Sequence, residues 1–154
     1  MELNDKTMVD EVVKSKRDHV LIDESDVEKY KLIEKKLPFK NHLHTFTVAT
    51  FIGYYYAESS KKIEKTYNGF VHLSVFRNSP YLDFLKTFAI VHENDPLVLV
   101  DEKRLFSLCE GYARTGIDLL IDWVDSKDEN LENIIAKLLI EKFDELDVKW
   151  VNNF

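Results

Sequence analysis

The stretch Asn41–Tyr56, NHLHTFTVATFIGYYY, decides how the rest of the chain is read. Leu43, Phe46, Ala49, Thr50 and Gly53 recur at helical spacing, and Asn41 stands where a side chain caps a first turn. The pattern predicts a helix of about three to four turns. On that helix His42 and His44 point about 200° apart, so they cannot chelate one ion, as a pair at i and i+4 could. One is read as exposed in the first turn and the other as half-buried. Tyr54, Tyr55 and Tyr56 follow the glycine at the helix end, where tyrosines keep their hydroxyls wet and their rings dry. They are the candidate interaction patch.

Upstream, residues 1–17 are polar and irregular and read as a tail or a frayed lead-in. His19–Ile22 is a short β-prone run. Ser25 and Glu28 have the spacing of a capping box, which predicts a helix over about Asp26–Lys36 with Tyr30, Ile33 and Leu37 inward, stopping before Pro38. Downstream, Glu58–Lys65 is polar and basic, Asn68-Gly69 reads as a tight turn, and Val71, Leu73 and Val75 alternate as in a strand or hairpin arm. Ser79-Pro80 reads as a helix start, with Tyr81, Leu82, Phe84, Leu85, Phe88 and Ala89 forming a wide apolar face before His92-Glu93-Asn94-Asp95-Pro96 ends it. Pro96–Val100 reads as extended.

Asp101 opens the longest pattern: Leu105, Leu108, Cys109, Tyr112, Gly116, Leu119, Leu120 and Trp123 keep one face apolar over about six turns. Gly116 inside that face predicts close approach of another helix. A last amphipathic helix is expected from Ser126 through Leu146. The fold class expected is therefore mainly α: a compact single-domain bundle of about five helices with a small β element, a hairpin at most. Its organisation would be a tail (1–17), a helical core (18–125) and an acidic helix (126–154) packing on the core or on a partner.

The 154 residues carry a formal charge of −7, which opposes strong non-specific binding to nucleic acid. Eight acids against three lysines lie between Asp125 and Asp147, so the remainder is close to neutral. A local basic face is thus compatible with the totals. Lys35, Lys36 and Lys40, then Lys61, Lys62 and Lys65, flank the tyrosines, and lysines interleaved with stacking aromatics suit single-stranded nucleic acid. A solvated face explains the same lysines. One cysteine excludes an intramolecular disulfide, and its place on an apolar face makes Cys109 a structural thiol. No apolar run reaches bilayer length, and the acidic start is unlike a signal peptide, so a cytoplasmic location without membrane contact is expected.

Catalytic signatures are scarce. His92 lacks the second histidine of a metalloprotease helix, because Pro96 fills its place, and it suits a helix terminus instead. Glu110 and Arg114 have the spacing of a surface ion pair. No Gly-rich phosphate loop, nucleophile elbow or paired-cysteine ligand set occurs, so no catalytic, cofactor-binding or metal-ligating residue is assigned and no cofactor is expected.

The order of segments is more distinctive than any one of them: KRDHVLIDES, LPFKNHLHTFTVATFIGYYY, YLDFLKTFAIVHEND, LFSLCEGYARTGIDLLIDWV. It resembles the fourth class of Dnd system-associated proteins, encoded beside DNA-phosphorothioation genes. The likeness rests on the basic-acidic start into a β run (Arg17 to Ile22), and on the Pro-Phe lead into a helix ending in Gly plus aromatic (Pro38, Phe39, Gly53, Tyr54). It rests also on Glu-x-Tyr-Ala-x-x-Gly (Glu110, Tyr112, Ala113, Gly116). It covers about Arg17 to Val124. The resemblance implies a role around DNA sulfur modification or the linked phage-restriction machinery and carries over no catalytic residue. The expectation is an accessory, non-enzymatic protein acting on other proteins of that locus, with a DNA-binding module using the Lys/Tyr face as the alternative. Self-association through the acidic helix, as a homodimer, is compatible with either.

Overall fold

Asn41 does what its position predicts. Its backbone is extended and its side chain accepts the His44 N–H at 3.0 Å, so the helix starts at the next residue. The computed structural model describes residues 17–37, 39 and 41–125, together with Asn133, Ala136, Ile140 and Glu141. Among these residues lie five α-helices: α1 (Val27–Lys36), α2 (His42–Ile52), α3 (Leu73–Arg77), α4 (Tyr81–Glu93) and α5 (Glu102–Asp125). Two strands, β1 (His19–Asp23) and β2 (Thr66–His72), form one antiparallel pair. The mainly helical class with a small β element is what the sequence pattern predicts.

α2 is the core helix of residues 1–121, buried on nearly every side. Its buried threonines satisfy their hydroxyls within the helix: Thr47 donates to the Leu43 carbonyl at 2.8 Å and Thr50 to that of Phe46 at 2.9 Å. Phe46 and Phe76 meet edge to face at 5.7 Å, and Phe76 meets Phe106 in the same way at 5.6 Å. α5 crosses the C-terminal end of α2 at Gly116, with Gly53, the residue that follows α2, on the other side of the crossing. A Cβ on Gly116 would stand 1.7 Å from the Ala49 carbonyl oxygen, and one on Gly53 1.8 Å from that of Tyr112. The close approach predicted at Gly116 is therefore real, and Gly53 is its counterpart.

Several local readings are corrected. No side chain caps α1 at Ser25; Asp23 instead accepts the Ser25 N–H and hydroxyl and opens a short 3-10 turn, Glu24–Asp26. Asn68-Gly69 is not a hairpin turn but lies inside β2. Between the pairs Val20↔Val71 and Ile22↔Tyr67, β1 advances two residues and β2 four, and Gly69 at φ +95° supplies the bulge. β2 pairs with the distant β1 rather than a neighbour, so α1 and α2 are enclosed between the strands. Leu73 and Val75 belong to α3. The Ser79 hydroxyl donates to the Phe76 carbonyl at 2.9 Å, closing α3 rather than capping α4. Pro96–Leu99 is a 3-10 turn capped by Asp95, not an extended run.

α5 begins as predicted, with Asp101 accepting the Arg104 N–H at 3.0 Å. Its buried face is turned by about one residue from the expected one: Phe106, Ala113 and Ile117 join Leu105, Cys109, Gly116 and Leu120, while Leu108, Tyr112 and Leu119 are half-buried. By contacts the chain falls into two units, residues 1–121 and 122–154. Most of the expected last helix lies outside the described residues; Asn133, Ala136, Ile140 and Glu141 are helical and exposed.

Candidate functional site

Glu110, from the Glu-x-Tyr-Ala-x-x-Gly pattern, is buried on α5 and faces β1. It accepts the Leu21 N–H at 3.2 Å and pairs with Arg17 at 2.9 Å. Burial pushes its carboxyl up to about 7 against the pull of Arg17. One turn on, Arg114 does not pair with Glu110, as the spacing suggested. It reaches Asp23 and Asp26, each at 3.3 Å, and donates to the Lys62 carbonyl. Asp23 also accepts the Glu64 and Lys65 N–H groups at 2.8 and 3.1 Å. The Ser25 hydroxyl above all, then these backbone donors, hold it well below the usual carboxylate range despite burial. The cluster clamps β1, the start of α1 and the 58–65 loop onto α5. Tyr112 points elsewhere, its hydroxyl 2.8 Å from His92 Nε2. Among the described residues, Glu110, Tyr112 and Arg114 thus engage separate partners rather than converging. Ala113 and Gly116 are buried packing positions.

The lysines do not stand as one open cationic set. Lys61 faces Asp118 at 3.3 Å and Lys65 faces Glu24 at 2.9 Å. Lys35, Lys36 and the Lys62 side chain are exposed, and Lys40 lies outside the described residues. The two histidines of the opening stretch have separate partners. His42 Nδ1 lies 2.5 Å from Glu34 Oε1, whereas the His44 ring packs against Phe39 and Tyr81. Both rings are half-buried. Cys109 is buried, and burial pushes its thiol far above the ordinary range.

The tyrosine run is a single π-helical turn, Gly53–Ala57, ended by Glu58 in the left-handed region at φ +50°. The wider turn gives neighbouring tyrosines different fates. Tyr54 packs edge to face on Phe88, Tyr112 and His92, at 5.0, 5.5 and 5.6 Å. Tyr55 turns outward and stacks parallel on Phe51 at 6.0 Å. Tyr56 is half-buried.

Between this turn and α4 lies a groove of about 520 Å³. Phe51, Tyr54 and Tyr55 form one wall; Pro80, Asp83, Phe84, Thr87, Phe88 and Val91 form the other. Phe84 and Val91 are 57% and 63% exposed. The sequence pattern puts Phe84 on a wide apolar face that runs up to Val91, without separating its buried side from its exposed one. The available signal was the width of α4's apolar face, which exceeds what one core contact covers. Only Leu85, Phe88 and Ala89 are buried there.

No helix among the described residues is long and apolar enough to cross a membrane. A family model described as DNA sulphur modification system-associated protein 4 matches residues 23–151. The match begins six residues later than the resemblance quoted above and extends across the acidic segment left outside it. No curated protein and no solved structure matches the chain.

Proposed function

Because the chain belongs to the DNA sulphur modification system-associated protein 4 family, we propose that it serves that system as an accessory protein without chemistry of its own. It would act by holding another protein of the system, or of the restriction machinery linked to it, against the groove beside α4. The observation that carries this reading is the exposure of Phe84 and Val91 next to the outward Tyr55. A continuous apolar strip left in water gains about 25 cal/mol for each Å² a partner covers, and such strips mark contact surfaces. The polar groups of the Glu-x-Tyr-Ala-x-x-Gly pattern support the same reading, since they are engaged in holding β1 and α4 to α5.

Tagged protein co-expressed with the other proteins of the system tests it. At least one of them is expected to co-purify after nuclease digestion. Retention that vanishes with nuclease would instead favour the alternative, direct binding of DNA through Lys35, Lys36, Lys61, Lys62 and Lys65. That alternative predicts a shift of modified or unmodified DNA that weakens steeply with salt and is lost in Lys61→Glu/Lys62→Glu. The pairing of Lys61 and Lys65 with carboxylates weighs against it.

A further inference from the structure

We infer that the groove takes one amphipathic helix of a partner protein, with its apolar side inward and a Lys or Arg placed to meet Asp83. The inference rests on the protein-contact reading above and adds the chemistry of the occupant. Shape comes first. Pro80, Phe84, Thr87 and Val91 succeed one another at intervals of four, three and four, so they form a line along α4. At 1.5 Å per residue that line is about 16 Å long, the span over which a helix presents anchors at i, i+3 or i+4, and i+7. The opposite wall repeats the spacing with Phe51 and Tyr55. Both walls are helical, with backbone groups already paired, so an extended strand gains no main-chain hydrogen bonds here.

Charge comes second. Asp83 stands at the lip, exposed, and makes no ion pair among the described residues. The Thr87 hydroxyl donates to the Asp83 carbonyl at 2.9 Å, which leaves the carboxylate as the charged group of the rim. The same argument disfavours a second copy of this chain as occupant. Its amphipathic segment, Asp125–Asp147, brings eight acids against three lysines to a carboxylate.

Two synthetic peptides make the test. They share one amphipathic helical pattern of Leu and Phe and differ only in carrying Arg or Glu at the polar positions. Binding is read by fluorescence anisotropy against the whole protein and three variants: Asp83→Asn, Phe84→Ala and Glu28→Gln. Glu28 is an exposed carboxylate on α1 outside the groove. The Arg peptide is expected to bind about tenfold tighter than the Glu peptide, and to lose about tenfold in Asp83→Asn and in Phe84→Ala but not in Glu28→Gln. Equal binding of both peptides, or equal loss in Asp83→Asn and Glu28→Gln, overturns the inference, since attraction to a net-acidic surface would then explain the binding. If the peptides fail while Phe84→Asp still abolishes co-purification, the helix inference falls and the protein-contact reading stands. If the Arg peptide behaves as expected but no protein of the system co-purifies, that reading falls and the groove's chemistry stands.

Discussion

Gly116 and Gly53 set the distance between α2 and α5, and each faces a backbone carbonyl rather than a side chain that could swing aside. Gly116→Ala in a helix interior ordinarily gains about 1 kcal/mol of helix propensity. Here the new methyl would sit 1.7 Å from the Ala49 oxygen, so the helices must separate. A loss of about 3 kcal/mol is expected by urea unfolding; a gain would place the crossing elsewhere. Tyr30 gives the opposite case: its ring is fully buried against Phe70, but its hydroxyl has no hydrogen-bond partner among the described residues. Tyr30→Phe is expected to leave stability unchanged or raise it by about 1 kcal/mol. A fall in the unfolding midpoint would reveal an acceptor. Gly116 was legible because a glycine inside an apolar stripe has few other uses. Glu110 was not, since its spacing from Arg114 imitates a surface pair while the true partner, Arg17, lies far along the chain.

Among elements, β1 is tied to α5 as well as to β2, because Glu110 takes the Leu21 N–H. With its carboxyl raised to about 7 in the fold from an ordinary 4.5, Glu110 binds its proton more tightly folded than unfolded. Its contribution to stability is therefore full below 4.5 and is lost as pH rises through 7, at up to about 1.4 kcal/mol per pH unit. Asp23 has the opposite sign and a separate window. Its depressed carboxyl contributes above 3.8, and that contribution fades only in stronger acid. Glu110→Gln should flatten the dependence of the urea midpoint on pH between about 5 and 7; an unchanged slope would show that Glu110 does not titrate there. The helices with strong caps, α2 at Asn41 and α5 at Asp101, could be read from sequence, because the capping contact is local. The strand pairing could not, since β1 and β2 are separated by two helices and Asn68-Gly69 gives the same signal for a bulge as for a turn. Ser25 and Ser79 misled for a similar reason: each hydroxyl donates to an upstream oxygen, Asp23 Oδ1 and the Phe76 carbonyl, instead of accepting an N–H of the helix that follows.

For the whole molecule, the chain buries one apolar side of α4 and leaves another in water beside the tyrosine turn. That second side was only half legible. Tyr55 stood out as an aromatic without a core role, but Phe84 and Val91 looked like ordinary members of a wide helical face. Only the three-dimensional packing, with Leu85, Phe88 and Ala89 taking all of the core contact, separates them. The family fixes the setting as a DNA sulphur modification system, and the groove is the surface proposed to act in it. Phe84 and Val91 are exposed, so Phe84→Asp/Val91→Asp is expected to unfold at the same urea concentration as the unaltered chain, within about 0.5 kcal/mol. The most direct measurement co-expresses the proteins of the system with each form and compares what is retained after nuclease digestion. The unaltered chain should retain a protein of the system and the double variant should lose it; equal recovery of the same protein on both would contradict the groove as the contact surface.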